Sequence, residues 1–178
     1  LIVTTTLMPI FFKTHAAREV TPDTATAYWG FTVAASSLLV ALLAPFLGAL
    51  ADFEGNKRRF LSWAVAIGVT ATLMLSLVRP GQWLLCLALY GLARIGFSGA
   101  NIFYDAFLVD VTTDERMDRI SAYGYGWGYI GSVAPFLAAI ALLFLFKSLA
   151  AADQFPAPGF SAAFLLTAAW WGLFSIPI

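Results

Sequence analysis

The chain has 178 residues, of which 61% are hydrophobic and only 11% are charged, whereas soluble domains carry about 25% charged residues. So few charges cannot cover the surface of a water-soluble fold of this size, and the composition therefore predicts an integral membrane protein. Ten Lys and Arg residues balance ten Asp and Glu residues, which leaves no basic surface for nucleic acid and excludes that class of partner.

Six apolar segments follow one another along the chain. A helix needs about 20 mostly apolar residues to cross the roughly 30 Å of a bilayer core. The predicted spans are 1–12 (partial), 28–51, 60–78, 83–110, 120–146 and 160–178. Uninterrupted runs of this length indicate helices rather than the strands of a barrel. We therefore expect an all-α, polytopic transmembrane helix bundle that forms one domain over 1–178.

The first segment is short, and the residues after it carry little chemistry. As a helix, 1–12 covers only about 18 Å, and the chain lacks an initiator Met, so we expect a truncated first helix and a fragment of a longer protein. His15 is the only histidine and lies in a polar loop. We predict no catalytic residue, no metal site and no cofactor, and an intramembrane enzyme is disfavoured.

The second segment and the loop after it add two weaker signals. Thr32 and Ser36 lie one helical turn apart and could face a cavity, although both side chains can also bond their own helix backbone. The loop 52–59 ends in three consecutive basic residues, Lys57, Arg58 and Arg59. The positive-inside rule therefore places this loop in the cytoplasm.

The segment 83–110 carries charged and polar side chains inside a predicted span. At 100° per residue, Arg94, Ser98, Asn101 and Asp105 fall on one stripe of the helix. A charge inside the bilayer costs at least about 2.5 kcal/mol, so the stripe should face a protein interior or a wet cavity. We interpret it as the lining of a transport pathway. The alternative is that Arg94 and Asp105, about 16 Å apart along the helix, only fasten the bundle through neighbouring helices.

Two further features concern contacts between helices. Asp110 lies on another face of the same helix, and it can either pair with a basic residue of the preceding cytoplasmic loop or remain solvated. In the next span, Gly124, Gly128, Gly131 and Pro135 fall within about 40° of one another. This stripe predicts a groove that a second helix can approach closely, either as a static contact or as a hinge.

The loop after the second segment carries a specific motif. Residues 48–58 read GALADFEGNKR and resemble the Gly-x-x-x-Asp-Arg/Lys-x-Gly-x-Arg/Lys-Arg/Lys signature of the major facilitator superfamily, with Phe53 at a position that is usually basic. In that family, the motif latches the two halves of the transporter on the cytoplasmic side. The resemblance assigns the latch to Gly48, Asp52, Gly55, Lys57, Arg58 and Asp110. Gly48 would permit close approach of a helix.

Two longer runs narrow the resemblance to one branch of the superfamily. Residues 96–110 read GFSGANIFYDAFLVD, and residues 121–131 read SAYGYGWGYIG. Together with 28–30 and 170–177, these runs resemble the branch related to the fungal vacuolar amino-acid effluxer and its bacterial relatives. Arg94 resembles the fourth-helix Arg that the superfamily associates with proton coupling.

The resemblance implies the amino-terminal, six-helix half of a major facilitator fold, with the carboxy-terminal half missing. It implies a secondary active or facilitative transporter of small polar solutes in the lipid bilayer of a bacterial inner (plasma) membrane. Amino acids are the candidate solutes, and a proton is the candidate coupling ion. One half alone is not expected to complete a transport path. The rival prediction is a non-transporting scaffold or receptor-like protein, in which the polar stripe only holds helices together.

Overall fold

The computed structural model describes residues 2–51, 56–149 and 155–176, with side chains over 6–50, 56–149 and 155–176. The α-helices in these ranges are α1 Ile2–Phe11, α2 Pro22–Ala51, α3 Lys57–Leu75, α4 Trp83–Ala106, α5 Leu108–Val111, α6 Asp114–Leu149 and α7 Ala157–Ser175. A π-helical turn, Phe12–Ala16, follows α1. No strand occurs in the described ranges, and the predicted all-α class is confirmed.

Five of these helical stretches are long and apolar enough to cross a bilayer, namely 22–50, 57–75, 83–111, 114–149 and 157–175. α2 and α6 begin at Pro22 and Asp114, several residues before the apolar windows that start at Tyr28 and Ile120. Proline and acidic residues are favourable in the first turn of a helix, although an apolar window excludes them. The sequence predicted a single helix to Asp110, whereas α4 ends at Ala106 and the helix is interrupted at Phe107 before α5 begins.

The larger apolar core forms where the start of the chain meets the later helices. Phe11 and Phe12 are almost completely buried, and Phe11 packs edge-on against Phe164 of α7 with 5.1 Å between ring centroids. Tyr90 of α4 and Ala139 of α6 belong to the same cluster. The short first helix is therefore held against α4, α6 and α7 by close packing of aromatic rings.

A second close contact joins α3, α4 and α7 through two glycines. A Cβ atom added at Gly96 would lie 2.6 Å from the backbone nitrogen of Gly68 and 2.9 Å from the carbonyl oxygen of Ala64. On its other side, Gly68 lies directly against the indole ring of Trp171. Small residues let helix backbones approach closely in this way, and this contact fixes the face that α4 turns toward the rest of the bundle.

Two of the spanning helices pack little within this chain. Only 6% of the most apolar window of α2 and 11% of that of α6 is buried, whereas the corresponding share for α4 is 50%. Large apolar side chains such as Phe31 and Phe46 on α2, and Trp127 and Ile130 on α6, are exposed. These two faces are therefore available to lipid or to further protein.

Candidate functional site

The polar stripe of α4 lies beside the packed surface of the helix. Arg94, Ser98 and Asn101 are half-buried, and Asp105 is exposed. The α4 span covers 83–111, so Arg94 lies about 5 Å from its middle. Asp105 lies nearer the carboxy-terminal end of the span, which Lys57 of α3 contacts. The stripe thus extends from mid-span toward one membrane face.

Arg94 makes one hydrogen bond, which reaches α2. Its Nη2 donates to the hydroxyl oxygen of Ser37 at 3.0 Å, and its Cζ lies 6.0 Å from the centre of the Tyr90 ring. The one ion pair among the described residues joins Lys57 and Asp110. No carboxylate of these residues therefore lies within ion-pair distance of Arg94. Ser37 was not predicted as a partner, since nothing in the spacing of α2 distinguishes it from its neighbour Ser36.

Beside Arg94 lies a small cavity of about 10 Å³ between α3, α4 and α7. This volume is enough for about one water molecule. Its polar walls include Thr72 and Thr167, whose hydroxyls donate to carbonyl oxygens of their own helices, Gly68 at 2.8 Å and Ala163 at 2.7 Å. Arg94 therefore supplies the charge of this cavity, and the threonines supply satisfied hydroxyls.

The lesser candidates on α2 behave like these threonines. Thr32 donates to the carbonyl oxygen of Tyr28 at 2.9 Å, and Ser36 donates to that of Val33 at 3.0 Å. Ser36 is only 5% exposed. Both hydroxyl hydrogens are therefore used within α2, which leaves the oxygens as acceptors.

Ser98 and Asn101 differ from most of the small polar residues of the bundle. Within the described ranges, neither side chain makes a hydrogen bond, although most serines and threonines of the helices bond a carbonyl one turn earlier. Half-buried polar groups without protein partners require water, solute or further protein as partners. The central part of the stripe is therefore unsatisfied by the residues around it.

Asp105 is bound by a phenol from α6. The hydroxyl of Tyr125 lies 2.9 Å from Oδ1 and 3.1 Å from Oδ2 of Asp105, and it donates its hydrogen to this carboxylate. No Lys or Arg among the described residues pairs with Asp105. Tyr125 was not predicted as the partner of Asp105, because it lies in a run of alternating aromatic residues that is typical of packing and of membrane interfaces.

The latch residues are only partly described. Lys57 Nζ forms an ion pair with Asp110 at 2.8 Å and donates to the carbonyl oxygen of Ala106 at 3.2 Å. Lys57 and Asp110 side chains are 17% and 49% exposed. Arg58 makes no ion pair with a described residue, and Asp52 and Gly55 lie outside the described ranges.

Gly48 does not make the close contact expected of it within this chain. No atom of the described residues lies within 4 Å of the position that its Cβ would occupy. The reason is that α2 contacts α3 only sparsely and packs mainly against α4. Any close approach at Gly48 requires protein beyond these residues.

The glycine stripe of α6 is open rather than filled by a helix. Gly128, Gly131 and Pro135 line a groove of about 420 Å³ between α4, α6 and α7, and a Cβ at either glycine would meet no atom within 4 Å. Gly124 is different, because the hydroxyl of Tyr104 lies 2.8 Å from its Cβ position. A groove lies along this stripe, and within the described residues only a tyrosine hydroxyl approaches the glycines of the stripe within 4 Å, at Gly124.

Comparison with known proteins identifies relatives of this chain. A family model described as vacuole effluxer Atg22 like matches residues 20–116. An uncharacterized MFS-type transporter, YxiO, from Bacillus subtilis (strain 168) is 47% identical over 182 residues. That alignment covers 100% of this chain and 42% of the relative, so the chain spans about two fifths of the relative's length. No solved structure matches the chain.

Proposed function

The chain belongs to the major facilitator superfamily, in the branch related to the vacuole effluxer Atg22, and from this premise we propose that it is the amino-terminal half of a solute transporter. The full-length protein moves small polar solutes by alternating access, as two halves rock around a site near the middle of the membrane. Amino acids are the proposed solutes, and a proton is the proposed coupling ion. The proposed location is the bacterial inner membrane.

The observation that carries this proposal is the unsatisfied stripe of α4. Arg94 and Asp105 have no oppositely charged partner among the described residues, and Ser98 and Asn101 have no hydrogen-bond partner there. Ionisable groups inside a membrane span are costly, and they mark solute and ion pathways. A row of such groups along one helix supports a wet pathway between two halves.

The exposed apolar surfaces of α2 and α6 support the carboxy-terminal half of the full-length protein as their packing partner. α2 and α6 bury little of their apolar surface, and the relative at 47% identity is more than twice as long as this chain. We propose that the carboxy-terminal half packs against these helices. The Lys57–Asp110 pair then belongs to the latch at the membrane face where α3 begins, together with Asp52, Gly55 and Arg58.

A non-transporting scaffold is the second candidate, and two contacts favour it. The Arg94–Ser37 hydrogen bond ties α4 to α2, and the Tyr125–Asp105 hydrogen bond ties α6 to α4. If these bonds only fasten the bundle, the stripe has a structural role. The two candidates differ in what happens when Asp105 loses its charge.

The test is Asp105→Asn in the full-length protein reconstituted in liposomes. Asparagine keeps the shape and still accepts a hydrogen bond from Tyr125, so the transporter model predicts normal amounts of folded protein and at least about tenfold slower flux. Asp118→Asn on the exposed start of α6 is the matched control and should keep full flux. Loss of folded protein without a separate flux defect would favour the scaffold.

A further inference from the structure

Arg94 is a positive charge near the middle of a membrane-spanning helix. It lies three residues from Phe97, the middle residue of the 83–111 span, which is about 5 Å along the helix axis. The guanidinium of an arginine is a planar, charged group that carries only hydrogen-bond donors. A charge at this depth needs an anion or water beside it.

The partners that Arg94 has in this chain are neutral and few. The guanidinium carries five N–H donors, and the hydrogen bond described here uses one of them, to Ser37. The Tyr90 ring at 6.0 Å contributes a weak cation–π contact. The planar fork of an arginine matches a carboxylate with two parallel hydrogen bonds, and these donors remain available for that geometry.

The small cavity beside Arg94, of about 10 Å³, has room for about one water molecule and not for a carboxylate. Thr72 and Thr167 in the cavity wall have already donated their hydroxyl hydrogens within their own helices. The unpaired N–H groups of Arg94 therefore suit an acceptor that carries negative charge and lies outside this small cavity.

We propose that Arg94 is the binding site for the carboxylate group of the transported solute; this rests on the proposed transport function. The ligand class is a small solute with a free carboxylate. Asp105 lies about 16 Å away along α4, too far for one α-amino acid to reach both groups. Arg94 therefore recognises the carboxylate alone, and the solute's other groups are bound elsewhere.

The first test measures binding at Arg94 itself in the full-length protein. Phenylglyoxal modifies accessible arginines, and peptide mass spectrometry gives the rate at Arg94 in the presence of formate or of formamide, which has the same size without charge. We expect formate to slow modification of Arg94 at least about threefold and formamide to have no effect. Arg79, exposed in the loop before α4, is the control and should react equally in both. Equal rates at Arg94 with formate and with formamide would overturn the proposal.

The second test asks whether a solute supplies the carboxylate. Full-length wild type, Arg94→Gln and Arg79→Gln are compared in liposomes for uptake of a labelled amino acid, in competition with the unlabelled acid and with its amide. We expect Arg94→Gln to lose about tenfold or more of the preference for the acid, because a charge-assisted hydrogen bond is lost, while Arg79→Gln keeps it. Arg94→Lys, which keeps the charge but not the fork, should lose less and controls for folding.

The outcomes separate this proposal from the transport function. Uptake with an unchanged acid preference in Arg94→Gln would overturn the proposal and leave transport intact. If formate protects Arg94 but wild type takes up no amino acid, the proposed transport function is overturned, and with it the assignment of the carboxylate to a transported solute. An anion-binding site at Arg94 would then remain. If Arg94 is protected without formate, and neutralising an acidic residue elsewhere in the full-length protein removes that protection, the carboxylate belongs to the protein and the proposal is wrong.

Discussion

Single residues of this chain show how burial sets the chemistry of a side chain. His15 lies just after α1, where its ring stacks against Phe155 at 5.2 Å and lies 5.0 Å from the ring of Phe11. Desolvation by burial lowers the pKa of His15 below its ordinary value of 6.5, and the charge of Arg18 acts in the same direction. A hydrogen bond with the backbone of Val78 opposes this shift. The neutral ring is therefore favoured between the two aromatic residues.

The lowered pKa of His15 predicts a pH-dependent stability. The unfolded chain binds the proton more readily than the folded protein, so the contribution of His15 is present above pH 6.5 and is lost as the pH falls below it. His15→Phe keeps the aromatic stack but cannot titrate. Lowering the pH from 8 to 5 should therefore destabilise the full-length wild type more than His15→Phe, as measured by the thermal unfolding temperature of each protein. Parallel pH profiles for the two proteins would show that His15 does not carry this dependence.

The chain's own pattern predicts the stripe of α4 but not its partners. Arg94 and Asp105 stand out because charges are rare in apolar runs, and the helical period alone aligns them. Ser37 cannot be distinguished from Ser36 in this way, because neighbours on a helix differ by 100° and only the crossing of α2 over α4 selects one of them. Tyr125 and Lys57 were likewise indistinguishable from nearby tyrosines and basic residues before the packing of α4 with α6 and α3 was known.

At the scale of helices, backbone contact at two glycines defines how α3 and α4 pack. Gly96 of α4 meets the backbone of Gly68, and Gly68 in turn meets Trp171 of α7. Backbone atoms cannot move aside as the end of a flexible side chain can, so any added carbon must separate the helices. The sequence marked glycines on α6, where the structure is open, and not these two. Gly68 is the single glycine of 60–78, and Gly96 lies about 60° or more around α4 from Gly91 and Gly99, so neither belongs to a glycine stripe.

This contact predicts opposite effects of one substitution at two glycines. Gly96→Ala should lower the free energy of unfolding by roughly 1 to 3 kcal/mol, because its Cβ would lie 2.6 Å from the Gly68 nitrogen. Gly30→Ala on α2 is the matched control, since no described atom lies within 4 Å of its Cβ position. It should be neutral, or more stable by up to about 1 kcal/mol through helix propensity. Denaturant titration of both variants in detergent measures the difference, and equal effects would contradict the packing described here.

The break at Phe107 links the end of α4 to the start of α3. Lys57 is the first residue of α3, and it bonds both the Ala106 carbonyl oxygen and the Asp110 carboxylate. The carbonyl at a helix end lacks an intrahelical partner, so a cation there is favourable as well as the ion pair. The sequence predicted a basic cluster near this position, but the choice of Lys57 over Arg58 depends on which residue begins the helix.

At the scale of the whole molecule, the chain is a bundle with one packed side and two open helices. α4 buries half of its most apolar window, whereas α2 and α6 bury little and show large apolar side chains. The order of the spanning helices followed from apolar runs, because a bilayer imposes a minimum span on every crossing. The two helices that stay open are also the most apolar spans, since the mean hydropathy of their windows is 2.2, against 1.2 to 1.4 for the other three.

The claim on which this account depends is that the stripe of α4 faces water on a solute path, and cysteine labelling tests it directly. In a cysteine-free background of the full-length protein, with Cys86→Ala, single cysteines are placed by Ser98→Cys, Asn101→Cys and Leu92→Cys. Leu92 is 45% exposed but lies on the opposite side of α4 from Arg94. A charged, water-soluble thiol reagent should label the first two positions at least about tenfold faster than Leu92, because thiolates form in water and not in lipid. Labelling at Leu92 with none at Ser98 and Asn101 would contradict the account.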